Sequence, residues 1–475
     1  MEKLHLIIIK FFRRKYEVLS MQLRLRDRLR RKNFTPVQII AMGFATLIFV
    51  GAILLSLPIA TIEGVKTPFI DCLFTSTSAV CVTGLVTVDT GTYWSYFGKT
   101  VIIILIQIGG LGFMSFATLL SLIIGKKITL KERLVIRESL NSTSLQGIVK
   151  LARYILMFTF SVEILGAILL SFEFVPKFGL SKGIYYSMFH AISAFCNAGF
   201  DLMGGYSSLT AYSGNALVIL TLSALIIIGG LGFYAWNDIF NYRHTKRLTL
   251  QTKLVIAMSI GLLLFGFIMF LIFEVSNPET LKPMSIKGKL LSAFFASVSP
   301  RTAGFNSIDL TSMTIASTFL TILLMFVGGS PGSTAGGIKT STAGVLFMTI
   351  LSVINGREDT ELFKRKINKE TIYKALAVVV IALALIFTTT ILLSITERAS
   401  GAPFEHYLFE ATSAFGTVGV TLGLTQKLTA IGKVIVALTM YAGRVGPLTL
   451  VVAISIRKSK RGRAIKYPED KILVG

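Results

Sequence analysis

Four stretches of the chain share one arrangement of residue types, and what they share is chemistry of the main chain. They are Phe74 to Gly84 (FTSTSAVCVTG), Phe189 to Gly199 (FHAISAFCNAG), Phe294 to Gly304 (FFASVSPRTAG) and Phe409 to Gly419 (FEATSAFGTVG). Their last four positions are Cys81, Val82, Thr83 and Gly84; Cys196, Asn197, Ala198 and Gly199; Arg301, Thr302, Ala303 and Gly304; and Gly416, Thr417, Val418 and Gly419. The side chains do not match, so no ring of like side chains coordinates a ligand. The common parts are the backbone and a terminal glycine, which takes positive φ freely. Carbonyl rings of this kind replace the hydration shell of potassium in channels that select it. A short helix leading into each stretch would point its partly negative C-terminus at the same region, favouring a cation. One such glycine would mean only a turn. Four in register, roughly every 105 to 115 residues, are an internal repeat.

The elements that position these stretches follow from hydropathy. The chain has 475 residues, 53% hydrophobic and 15% charged, and a mean hydropathy of +0.72. A soluble domain carries about 25% charged residues. Apolar runs near the roughly 20 residues needed to cross a bilayer include 37–57, 100–124, 151–172, 216–236, 254–273 and 374–395. Each repeat then reads as a spanning helix, a short re-entrant helix, an extended filter and a second spanning helix. The expected fold is an all-α polytopic membrane protein. It has eight transmembrane helices and four re-entrant pore helices around a pseudo-fourfold axis. The expected division is a basic N-terminal arm over 1–36, repeats over 37–125, 148–240, 253–356 and 371–456, and a tail over 457–475.

The net charge of +24 is clustered. Basic groups gather at Arg24–Lys32, at Lys126, Lys127, Lys131 and Arg133, at Arg243, Lys246 and Arg247, at Lys364–Lys366, and at Arg457–Arg463. These clusters recur after every second span, which places both termini in the cytoplasm by the positive-inside rule. Nucleic-acid binding does not explain that recurrence. Ile7–Ile9 is too short for a signal-peptide core, so the arm is expected to meet anionic lipid or a partner. Cys72, Cys81 and Cys196 have neither zinc-site spacing nor the even count of a disulfide framework. They are read as thiols.

Each second helix also carries a glycine cluster, at Gly109–Gly112, Gly229–Gly232, Gly328–Gly332 and Gly443–Gly446. Small residues of this kind allow close helix packing. The third cluster extends into Gly328, Gly329, Ser330, Pro331, Gly332, Ser333, Thr334, Ala335, Gly336, Gly337, Ile338, Lys339 and Thr340, a composition no helix tolerates. An irregular loop at membrane depth lines a path, and this one is expected to lie below the filter as a gate. It is not a phosphate-binding P-loop, because Ile338 separates Gly337 from Lys339. Arg444 is a charge inside the fourth second helix, and such charges are functional by default. It is either a barrier on the ion path or a partner for Glu163 or Glu410. Arg301 must turn its side chain away from a cation path, toward an acidic group or the outer water. Asp89 and Asp201 follow their glycines closely, as charges at a pore mouth or as local caps.

The segments SAVCVTGL, HAISAFCNAGF, SVSPRTAGFN and SAFGTVGVTLGLT resemble the filter regions of the Trk/Ktr/HKT superfamily. IQIGGLGFM at 106–114, GSTAGGIKT at 332–340 and GRVGPLT at 443–449 resemble it too. The chain is most similar to the bacterial Ktr-type membrane subunits. That resemblance implies a homodimer with one pore per subunit in the cell membrane. It implies potassium as cargo, sodium as an activator and no organic cofactor. The partner it implies is a cytosolic ring of RCK-type nucleotide-binding regulatory subunits. Sodium-selective relatives carry Ser at the first filter position; Gly84 there favours potassium. The rival reading, a sodium- or proton-coupled symporter, calls for midplane carboxylates and inverted repeats. An enzyme calls for a catalytic cluster, which the scattered His, Cys, Asp and Glu residues do not form.

Overall fold

The computed structural model describes residues 35–112, 130–139 and 147–446. The N-terminal arm, Lys126, Lys127 and the C-terminal tail lie outside these. Among the described residues four helices are long and apolar enough to cross a membrane: α1 (Pro36–Leu55), α5 (Ile148–Phe178), α9 (Leu250–Glu274) and α13 (Lys369–Thr396). Each is followed by a short helix: α2 (Phe69–Cys81), α6 (Leu180–Phe195), α10 (Ile286–Val298) and α14 (Phe404–Gly416). Then comes a second apolar helix: α3 (Tyr96–Leu111), α7 (Ala216–Leu231), α11 (Ile315–Phe326) and α15 (Ala430–Val445). Three further helices, α4 (Leu130–Ser139), α8 (Phe233–Thr245) and α12 (Thr340–Ile354), belong to the connections.

Local chemistry marks these helices clearly. Thr35 and Gln38 form a reciprocal capping box at the start of α1, with Pro36 in the first turn. Ser95, Asn215, Thr314 and Thr429 cap α3, α7, α11 and α15 with their side chains. The long helices keep large apolar side chains exposed, among them Phe49, Ile164, Leu264, Ile272 and Ile391. In water such surface would drive association; against lipid tails it is the stable arrangement.

The second helices correct the expectation of continuous spans. α7 stops at Leu231 and the chain turns 92° into α8, so 216–236 is not one straight helix. Gly232 makes the bend at φ +95°, and the next amide, on Phe233, donates to Gly332 O at 2.8 Å instead of continuing the helix. α3 and α15 likewise end against Gly112 (φ +82°) and Gly446 (φ +94°). The third break is the expected one: 327–339 is irregular between α11 and α12, tied by Gly328 N–H to Ile338 O at 2.9 Å. A small hairpin, β1 (Glu361–Leu362) with β2 (Arg365–Lys366), sits in the connection before α13. Phe363 and Lys364 both take positive φ at its turn, as a two-residue hairpin requires.

The units close on one another. α3 packs on α6, α7 on α10, α11 on α14, and α15 returns to α2. The short helices therefore sit inside, each held between its own unit and the preceding one. Two buried carboxylates staple long helices to second helices. Glu274 accepts from the Thr314 amide and hydroxyl at 2.9 and 2.8 Å. Glu397 does the same for Thr429 at 3.0 and 2.6 Å. Thr314 and Thr429 begin α11 and α15, so each staple fixes where its second helix starts.

Candidate functional site

The four glycine-ended stretches meet. A Cβ placed on Gly84 would lie 2.5 Å from Ala198 O; one on Gly199 would lie 2.8 Å from Gly304 Cα. One on Gly304 would lie 2.5 Å from Val418 O, and one on Gly419 would strike Thr83 O. The contacts run Gly84, Gly199, Gly304, Gly419 and back to Gly84, a closed ring in chain order. No side chain fits at any of the four positions.

A second quartet was not legible in composition. Two residues before each glycine the backbone is left-handed: Val82 at φ +57°, Asn197 at +59°, Thr302 at +77° and Thr417 at +51°. Three of these are β-branched, for which positive φ is a strained outlier. An extended strand sends successive carbonyls to opposite sides; reversing the sign of φ at every second residue turns them to one side. The strain is held by hydrogen bonds donated to the short helices. The amides of Thr83, Ala198 and Val418 donate to the carbonyls of Ser78, Ser193 and Ser413 at 2.8, 2.8 and 2.9 Å. In the third stretch Ala303 donates to Ser299 O at 2.9 Å, one residue out of step. Cys81, Cys196 and Gly416 end their helices and are buried with the rest of the stretch.

Arg301 is buried, and its partner is not acidic. Its guanidinium donates to Ser259 Oγ at 3.2 Å and Ser259 O at 3.4 Å, on α9. The expected carboxylate or outer water is replaced by one polar residue on the neighbouring helix.

Above the ring a cavity of about 430 Å³ is lined by Gly84, Gly199, Gly304 and Gly419 and by Asp89, Asp201, Asp309 and Lys427. Asp89 and Asp201 cap their loops and also line this cavity. Asp89 accepts from Thr92 N–H at 2.8 Å and from Tyr206 N–H at 2.8 Å, and Asp201 from Met203 N–H at 2.9 Å. They hold their loops and line the same cavity.

Below the ring lies the loop over 328–340. Ser330 N–H donates to Gly230 O at 2.9 Å, and Thr334 Oγ1 donates to Phe195 O at 3.0 Å. Gly336 leaves no room for a Cβ against Thr417 Oγ1, and Gly337 lies near Gly416 O. The loop therefore runs from the second stretch to the fourth. Lys339 folds back on Ala335 O at 2.7 Å. Arg444 pairs with neither Glu163 nor Glu410: it donates to Thr334 O in the loop, to Gly109 O at 2.5 Å and to Gly110 O at 3.1 Å. Glu163 instead accepts from Gln107 at 3.0 Å, and Glu410 from Thr421 at 2.7 Å. A lower cavity of about 270 Å³ is lined by Gly112, Gly332, Ala335, Lys339, Arg444 and Gly446.

The glycine clusters have two separate uses. Gly109, Gly229 and Gly443 let their helices touch the carbonyls of Val80, Phe195 and Phe415 in the short helices. Three residues on, Gly112, Gly232 and Gly446 take positive φ and end the helix; Gly332, three after Gly329, also has positive φ (+67°) but lies inside the loop, α11 having ended at Phe326. That spacing of three marks the helix end in three of the four clusters. Among the described residues no group of three or more His, Cys, Asp or Glu residues is placed to hold a metal ion.

Comparison with known proteins fits this arrangement. Residues 17–462 match the family model of TrkH, described as cation transport protein. The chain is 46% identical over 448 residues to the potassium/sodium uptake protein NtpJ of Enterococcus hirae, covering 94% of this chain and 98% of that one. It is 45% identical over 443 residues to the Ktr system potassium uptake protein B of Bacillus subtilis, covering 93% and 97%. The crystal structure of the potassium transporter TrkH from Vibrio parahaemolyticus superposes with a TM-score of 0.68 at 16% identity, over 90% of this chain and 86% of that one. That likeness establishes a shared all-helical fold. The chain thus belongs to the TrkH family of cation transport proteins, and is a multi-pass membrane transporter and not an enzyme.

Proposed function

We propose that the chain is the ion-conducting membrane subunit of a potassium uptake system. The observation that carries this reading is the closed ring of Gly84, Gly199, Gly304 and Gly419, each with a left-handed residue two places before it. In this reading the four units are pore-loop repeats around a pseudo-fourfold axis. Main-chain oxygens of 81–84, 196–199, 301–304 and 416–419 replace the hydration shell of one potassium ion at a time. Ions enter from the upper cavity, where Asp89, Asp201 and Asp309 raise the local cation concentration.

The loop over 328–340 then closes the path below the filter, pinned by Arg444 through Thr334 O. Opening means withdrawing this loop from Gly230, Phe195 and Thr417. The names of the Enterococcus and Bacillus relatives, a potassium/sodium uptake protein and a potassium uptake protein, support potassium as cargo; sodium as an activator follows from the family resemblance alone. A homodimer with both termini cytoplasmic, joined to a ring of nucleotide-binding subunits, follows from the family resemblance and the charge pattern. A carboxylate-driven symporter is less well supported. Among the described residues the buried acids Asp71, Glu163, Glu274, Glu397 and Glu410 line neither the upper nor the lower cavity.

The deciding experiment is rubidium uptake into vesicles containing the purified protein, with potassium or sodium as competitor. Potassium should suppress uptake at far lower concentration than sodium. Equal suppression would remove the filter reading.

A further inference from the structure

We propose that His190 and Glu410 are positioning residues that brace two opposite filter segments from behind and thereby set how sharply the protein discriminates potassium from sodium. The proposal rests on the filter reading above. Both residues stand nine positions before their filter glycine, His190 before Gly199 and Glu410 before Gly419. Both are fully buried. Each reaches past its own short helix to the chain that leaves the filter.

Glu410 on α14 accepts from Thr421 Oγ1 at 2.7 Å and from Thr425 Oγ1 at 2.5 Å. Thr421 lies two residues after Gly419 and lines the upper cavity. Among the described residues no cation pairs with Glu410. A carboxylate held in a membrane protein by two hydroxyls is a costly choice, and a hydrophobic side chain would pack there more cheaply. Its use is therefore to be sought in the loop it holds.

His190 on α6 accepts at Nε2 from the Leu202 amide at 3.3 Å, and its Nδ1 lies 2.7 Å from Tyr186 O. An accepting Nε2 makes Nδ1 the protonated nitrogen, so the ring is neutral and both its nitrogens are engaged. Leu202 lies three residues after Gly199. Phe174, Tyr186 and Phe189 surround the ring, and Phe305, directly after Gly304, stands 6.5 Å from it.

The same position in the first and third units is Thr75 and Phe295. The Thr75 hydroxyl has no hydrogen-bond partner, and Phe295 offers none. The glycine ring runs in chain order, so Gly199 and Gly419 face one another across it. Segments with and without a brace at this position therefore alternate, and the two braces lie on one diagonal. Carbonyl spacing across that diagonal is held by this extra brace, while the other pair has only the nearer serine bonds, Gly84 N–H to Ser78 Oγ at 3.0 Å and Ser299 Oγ to Phe305 O.

The test compares purified variants in the rubidium uptake assay, reading the ratio of sodium to potassium concentrations that halve uptake. His190→Phe keeps the ring but removes the acceptor. Glu410→Met removes both acceptors, and the Thr421→Val/Thr425→Val double variant removes the donors instead. Each should lower the ratio by about three- to tenfold, the range set by losing one or two net hydrogen bonds. His190→Gln and Glu410→Gln retain an acceptor and should keep a ratio close to that of the unaltered protein. Thr75→Val should leave it unchanged. An unchanged ratio in His190→Phe and in the double threonine variant would overturn the proposal. So would failure of all the brace-removing variants to give monodisperse protein, which would assign the pair to folding. If the unaltered protein shows no discrimination, it is the filter reading that fails.

Discussion

Lys433 and Asp71 form an ion pair at 2.6 Å across 362 residues of chain. Lys433 lies in the first turns of α15, and Asp71 in the first turn of α2. The pair closes the circle of units by joining the last to the first. Both side chains are largely buried, at 16% and 12% exposure, so water screens the pair poorly. Removing one partner leaves a buried charge alone, which costs about 3–5 kcal/mol. Asp71→Asn or Lys433→Met should lower the thermal midpoint of the purified protein clearly. The exchanged pair Asp71→Lys/Lys433→Asp should recover part of the loss, a coupling that a double-mutant cycle measures.

The glycine ring has a steric prediction. Gly419→Ala places a methyl group on Thr83 O, and Gly84→Ala places one beside Ala198 O. Both positions also have φ near +96°, where alanine is strained. Either change should cut rubidium uptake by at least about tenfold, equivalent to 1.4 kcal/mol on the conducting arrangement. Gly261 has no atom near its would-be Cβ, so Gly261→Ala should leave uptake intact. Equal loss in all three would count against the ring as the site.

Arg444 joins the loop to the first unit through Thr334 O, Gly109 O and Gly110 O. Arg444→Ala should release the loop and remove a positive charge from the path, raising the uptake rate severalfold. Deleting Pro331–Ile338 should raise it as well. Lysine has no planar fork to span three carbonyls, so Arg444→Lys should fall between. Stopped-flow or tracer flux at fixed ion gradients distinguishes these from loss of folded protein, since only the latter lowers the rate.

The outer mouth should respond to pH. Asp201 lies in the connection after Gly199, outside the spanning helices. Burial, joined by the nearby Asp89 carboxylate and opposed by the Met203 amide, pushes its carboxyl up to about 6. The group is charged above that pH and neutral below it. Lowering the outside pH from 7.5 to 5 therefore removes one negative charge from a cavity that also holds Asp89, Asp309 and Lys427. The apparent affinity for rubidium should weaken about two- to threefold at low ionic strength. Asp201→Asn should show the weaker value at both pH values.

The sequence alone determined the class of molecule and the four repeated stretches that the fold brings together. Hydropathy needs no tertiary contact to be read, and a fourfold recurrence of Gly84, Gly199, Gly304 and Gly419 is visible because repetition multiplies a weak local signal. The same holds for the loop around Pro331, whose composition forbids a helix. Tertiary structure decided what depends on neighbours distant in the chain. Val82, Thr302 and Thr417 are left-handed because hydrogen bonds donated to the short helices by the next residues outweigh their intrinsic preference. The bend at Gly232 exists because the loop carbonyl of Gly332 stands ready to accept the next amide. Arg301 found Ser259, Arg444 found carbonyls, and Lys433 found Asp71, since a buried charge takes whatever partner packing brings within reach, and spacing along the chain does not encode that distance.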